Sequence, residues 1–241
     1  MEYHLYLESG PKRKTTMVHV LDLLGCFARD GTTELALEAT SGAIAAYLTF
    51  IERHGETAMP APRSMDLKLV EHITSGALLG IGSPSILFPL DREPLTVDDG
   101  EKHLRWLDWA REELLALVGQ LSEEELTAAY PGGRSIKEIL QHIWQVEQWY
   151  LKNLGGLEKV KRTGNVFEKL AVVRAAIRHR FRNLSGEERS KVFLAPGPFG
   201  PPEGDPWTAR KSLRRCLEHQ WEHLDEVATR LEANAGRQSE P

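Results

Sequence analysis

The chain is short of four things. Cysteine occurs only at Cys26 and Cys216 in 241 residues. Two thiols in different halves do not make a disulfide framework, so a reducing compartment is expected. No apolar run reaches the ~20 residues that a membrane-spanning helix needs. No charged-then-apolar leader opens the sequence, and the expectation is a cytoplasmic protein with no membrane partner. A basic surplus is also missing: 30 Lys+Arg stand against 35 Asp+Glu, a net charge of -5. Nucleic-acid binding normally needs a positive footprint, so no nucleic-acid partner is expected.

What the chain does have is unevenly placed. All six tryptophans lie after residue 100. Residues 1–95 hold 8 Lys+Arg against 12 Asp+Glu; residues 96–241 hold 22 against 23. With 41% hydrophobic residues the chain can bury a core without staples. The expected fold class is α+β, with a small α/β sheet domain over 1–95, an all-α four-helix bundle over 96–235 and a disordered tail at 236–241.

In the first half, Tyr3–Glu8 and Thr16–Leu21 alternate as strands around a basic turn and predict a hairpin. Gly25–Ala28 predicts a third short strand, ended by the turn dipeptide Asp30-Gly31. Thr32 or Thr33 caps a helix that Gly55 closes. AMPAPRS reads as an extended linker, and Leu67–Ile73 and Ser85–Phe88 as further strands. The order strand, Asp22-Leu23-Leu24-Gly25-Cys26, strand, Asp30-Gly31-Thr32, helix resembles the HicB-like antitoxin domain. That resemblance implies a partial RNase H-like fold and a protein partner docking on residues 1–95. The family's proline before Gly-Cys is Leu24 here, and the glutamate expected three residues after the capping threonine is Leu35. Asp22 has no acidic companions in its strand, so the domain reads as non-catalytic. His4, His19, His54 and His72 read as exposed or sheet-face residues.

In the second half the period becomes helical. Asp98–Leu117, Ile136–Leu154, Val166–Asn183 and Thr208–Leu231 form four long segments, a pattern that predicts a four-helix bundle. Ser122…Glu125 and Ser135…Glu138 are capping boxes, Asn165 caps the third long helix, and Ser185–Val192 reads as a short helical turn. On the last helix His219 and His223 are four residues apart. At 3.6 residues per turn both rings lie on one face, with Cβ atoms roughly 5–6 Å apart, and can share a metal ion. They sit at the edge of the apolar stripe Leu213, Leu217, Leu224, Val227 and Leu231. His142 sits at the edge of the stripe Ile136, Ile139, Ile143, Val146 and Tyr150 on another helix. Imidazoles beside a packing face meet at a seam between helices.

The stretches RSIKEILQHIWQVEQWYL and TARKSLRRCLEHQWEHLDEVA resemble the DinB-like (YfiT-like) superfamily of metal-binding four-helix bundles. The resemblance implies one ligand from the second helix and a His-x-x-x-His pair from the fourth: His142, His219 and His223. It also implies a divalent ion, zinc or nickel, and a metal-dependent hydrolase or thiol-dependent transferase acting on a small molecule. Each imidazole needs a partner on its other nitrogen, for which Glu138, Glu222 and Glu226 are within reach. Glu147 projects into an apolar arc and reads as paired with an arginine such as Arg178 or Arg215. His103 and His179 read as surface, and Arg174 to Arg182 as a solvated face. Cys216 reads as a packed thiol, with a fourth ligand as the alternative, and residues 195–206 as a connector or stiff lid. The competing function is a non-catalytic ligand- or protein-binding module with the bundle as scaffold or sensor; a homodimer is open under either reading.

Overall fold

The structure, a computed structural model, describes residues 2–56, 65–131, 133–155, 164–196 and 203–238. Strand β1 (Glu2–Ser9) turns through a single 3-10 turn at Pro11–Arg13 into β2 (Thr16–Val20). The two pair antiparallel with Leu5 opposite Val20 and Leu7 opposite Val18. Strand β3 (Phe27–Asp30) adds antiparallel to β2. It starts two residues later than the sequence pattern predicts, because Gly25 adopts φ +99, outside the extended range. Helix α1 (Thr33–Arg53) follows, with the Thr32 hydroxyl accepting the Leu35 amide as its cap. Strand β4 (Asp66–Ile73) then lies parallel to β1, and the sheet order is β3-β2-β1-β4. The AMPAPRS linker lies outside the described residues.

Ser85–Phe88 forms no strand, contrary to expectation. It lies between Pro84 and a 3-10 turn at Pro89–Arg92, and proline donates no ladder hydrogen bond. Its apolar residues serve packing instead.

The chain continues as α2 (Val97–Val118), α3 (Glu123–Thr127), α4 (Ile136–Lys152) and α5 (Val166–Arg182). Ser122 with Glu125, Ser135 with Glu138 and Asn165 with Glu168 close reciprocal capping boxes at the starts of the last three. After α6 (Gly186–Ser190) come β5 (Phe193–Ala195) and β6 (Asp205–Trp207), paired antiparallel. Much of the Pro/Gly segment between those two strands lies outside the described residues. Helix α7 (Ala209–Gln238) ends the described chain, running into the segment 236–241 that the sequence reads as a disordered tail.

These elements form two compact units: residues 1–95 with 186–218, and residues 96–185 with 219–241. In the first, both faces of the sheet are covered. Leu5, Leu7, Val18 and Val20 share one face with Ser9 and Thr16, whose hydroxyls meet the Thr33 hydroxyl at the start of α1. Ala36, Ile44, Tyr47, Leu48 and Ile51 are buried along α1. On the opposite face Tyr6 packs with Leu21, Leu79, Ile86 and Phe88. This two-sided cover explains why all of β2 is buried.

That second face also holds charge. His19 Nδ1 lies 2.7 Å from Glu218 Oε1, both 1% exposed, so His19 is a buried sheet-face residue and not an exposed one. Arg214 donates to Glu218 at 3.0 Å and grips Asp91 through Nε at 2.9 Å and Nη2 at 2.7 Å. Arg215 Nη1 reaches Glu218 at 2.6 Å. The first turns of α7 are therefore buried nearly all round, where the sequence reads as an amphipathic helix. Paired cations and anions stand in for apolar residues.

Candidate metal centre

The second unit positions its histidines by simple helix arithmetic. On α4, Ile136, Ile139, Leu140, Ile143, Trp144, Tyr150 and Leu151 are buried, and His142, beside that stripe, is half-buried. On α7, Leu224 and Val227 are buried, and His219 and His223 lie one turn apart. Burying a leucine or isoleucine fully is worth about 1.5–3 kcal/mol, so the stripes fix helix rotation, and rotation fixes where the edge imidazoles meet.

They meet closely. His219 Nε2 is 3.1 Å from His142 Nε2 and 3.1 Å from His223 Nε2. One ligand nitrogen from each of the three lies within 4.8 Å of the others. The rings stand at steep angles, 84° between His219 and His223 and 90° between His142 and His223. Three Nε2 atoms thus converge from non-coplanar rings, as ligands around one cation must.

Protonation favours the same use. Burial, with His223 and Arg134 nearby, pushes the His142 pKa down to about 4, so it is neutral at physiological pH. The tautomer of His223 is set by Glu226, whose Oε2 lies 2.7 Å from His223 Nδ1. With the proton held at Nδ1, the Nε2 lone pair is left for a ligand bond. The hydrogen bond from His223 holds the Glu226 carboxyl below its ordinary range despite partial burial. Arg230 steadies the same carboxylate and also donates to the Arg134 carbonyl. The donor set, three converging imidazoles with an oriented carboxylate behind one of them, fits a first-row divalent ion. Cys216 is buried in the first unit and is not one of the converging groups.

A model of the DinB superfamily matches residues 107–227, half of the chain. The chain belongs to the DinB superfamily. Among solved structures, YfiT from Bacillus subtilis is similar, with 16% identity and a TM-score of 0.42 over 61% of this chain and 94% of that one. That protein is described as "a probable metal-dependent hydrolase with an unusual four-helix bundle topology". No curated protein matches the chain.

The DinB-type bundle has a second polar centre that the sequence reading misplaced. Glu147 is buried and paired with arginine, as the pattern predicts, but the partners are Arg111 at 3.0 Å and Arg174 at 2.5 Å. Arg178 instead pairs with Asp108, and Arg215 with Glu218. Gln220 Oε1 accepts from Arg111 at 2.8 Å and Arg174 at 3.1 Å, tying α7 to α2 and α5. Burial raises the Glu147 pKa, but the two guanidiniums overcome that and hold it below the usual carboxylate range. Burial pulls Arg111 down to about 10, which leaves it charged. Arg174 is therefore core, not part of a solvated face. His103 is likewise buried, with Nδ1 against the Asp99 carbonyl at 2.7 Å and its ring edge-on to Trp106. No periodicity distinguishes a buried arginine from an exposed one; only the partner across the bundle does.

Proposed function

We propose that this DinB-superfamily protein is a metal-dependent hydrolase acting on a small molecule, with its divalent ion, zinc or nickel, held by His142, His219 and His223. The observation that carries this reading is the convergence of three imidazole Nε2 atoms, each 3.1 Å from a neighbour, at one point in the bundle. Bound there, a divalent ion supplies a Lewis acid that polarises a carbonyl or activates water. The chain's own contribution is orientation. Glu226 fixes the His223 ring and tautomer, and Arg230 fixes Glu226. The Tyr150 ring stands edge-on to His219, with centroids 6.1 Å apart, and limits how that imidazole can turn. The Glu147 centre lies on the same helices and is structural: both cations that touch it are themselves buried.

For the first 95 residues the reading is a HicB-like module that docks a protein. Its support is the element order: an antiparallel hairpin, a short third strand, a capped helix and a parallel return strand. A cytoplasmic location fits both readings.

The test of the hydrolase is turnover. Protein loaded with zinc or nickel is expected to cleave some members of a panel of activated esters and amides. Chelation or His219→Ala should abolish the rate. Turnover that survives both would overturn the proposal.

A further inference from the structure

The outer edge of β4 is free of any strand among the described residues. It is also exposed where edges are normally disguised: Leu69 and Val70 are 52% and 46% exposed. An unpaired edge offers a row of backbone donors and acceptors to another strand. Which strand fits depends on side-chain register.

The register of β4 contains an irregularity with a specific consequence. Leu5 pairs with Leu69 but Tyr6 with Glu71, so Val70 is an extra residue, a bulge. In a regular strand, residues three apart point to opposite faces. Here the bulge shifts the alternation. Lys68 pairs with His4 and Glu71 with Tyr6, two positions two apart on β1, which puts Lys68 and Glu71 on one face of the sheet. Leu67 and His72, partners of Tyr3 and Leu7, share the other face in the same way.

We propose that β4 pairs antiparallel with β4 of a second copy of this chain, about a two-fold axis between Leu69 and Val70. In that register each Lys68 stands opposite Glu71 of the second copy, twice over. Leu69 stands opposite Val70, Leu67 opposite His72 and Asp66 opposite Ile73. Every opposed pair flanking the bulge lies on one face, as antiparallel pairing demands. No like charges are opposed, and the two most exposed apolar residues of the strand cover each other. Without the bulge, Lys68 and Glu71 would face opposite ways and this match would not exist. A lysine and a bulge on an edge commonly keep it unpaired, but here both become complementary once the partner is the same strand. A strand pair alone buries less than the ~1,000 Å² of a tight interface, so the association is expected to depend on concentration.

The experiment is sedimentation equilibrium of the full chain at low salt over the micromolar range. Wild type is expected to move from the mass of one chain to that of two. Lys68→Glu and Glu71→Lys alone should each remain monomeric, since each opposes like charges twice. An equimolar mixture of these two variants should regain the dimer. In the mixed pair one copy is acidic at both positions and the other basic at both, so every opposed pair is again of opposite sign. The double charge swap should also restore the dimer. The mixture keeps the test decisive even if one variant is less stable, and unchanged circular dichroism would show that both fold. A wild type that stays monomeric throughout, a dimer indifferent to single reversals, or variants that fail to associate when mixed would each overturn the proposal.

Discussion

Glu226 Oε2 lies 2.7 Å from His223 Nδ1, three residues back along one helix, while its other oxygen meets Arg230 a turn further on. A single stretch of α7 therefore carries two candidate ligands, the carboxylate that orients one of them and the cation that holds the carboxylate. Partners in such positions are worth about 10–100-fold in metal affinity. Glu226→Ala is expected to weaken zinc binding by about that factor while leaving the far-ultraviolet circular dichroism unchanged. Titration with a competing chelator measures it, and an unchanged affinity would show that the hydrogen bond is incidental.

Glu147 is the only carboxylate touching both Arg111 and Arg174 in the described part of the bundle core. Removing one partner of a buried charge pair costs about 3–5 kcal/mol. Glu147→Ala is expected to lower the unfolding free energy obtained from urea titration by an amount of that order. Arg178→Ala, at a partly exposed pair with Asp108, should cost less than about 1 kcal/mol. Equal effects at the two sites would contradict the assignment of Arg174 to the core and Arg178 to the surface.

Glu218 gives the first unit a defined response to acid. Burial raises its pKa, but Arg214, His19 and Arg215 outweigh burial and hold it well below its ordinary value of 4.5. A carboxyl with a depressed folded pKa contributes stability that is fully present above the unfolded value. That contribution is lost as pH falls below it toward the folded value. The stability gap between wild type and Glu218→Gln should therefore be widest near neutrality and shrink below about pH 4.5. A gap that grows on acidification would refute the sign.

Gly25 sits at φ +99, and a Cβ there would come within 2.6 Å of Leu217 Cβ and collide with the Tyr47 hydroxyl. That hydroxyl donates to the Leu24 carbonyl at 3.0 Å. Gly25→Ala combines backbone strain with overpacking, together about 2–4 kcal/mol. A drop in melting temperature is expected, and a variant as stable as wild type would mean the turn relaxes freely.

The sequence showed the helices better than their surroundings. Capping boxes at Ser122, Ser135 and Asn165 mark real starts because they are local chemistry, readable within four residues. His142, His219 and His223 were legible as edge residues because helical projection alone places them beside apolar stripes. Burial of charge was not legible. His19, Arg174, Arg214 and Glu218 look like surface residues in any window, and each has a partner 27 to 199 residues away along the chain. Ser85–Phe88 has strand composition, yet flanking prolines and the packing of Phe88 against Tyr6 make it a covering loop. The β4 bulge is likewise invisible without its partner β1.

The most direct measurement is calorimetric titration of metal-free protein with zinc and with nickel, for wild type and for His142→Ala, His219→Ala and His223→Ala. One ion per chain for wild type, and an affinity at least about tenfold weaker for every single variant, is the expected result. Variants that bind as tightly as wild type, or a wild type that binds no ion, would contradict a shared three-histidine site.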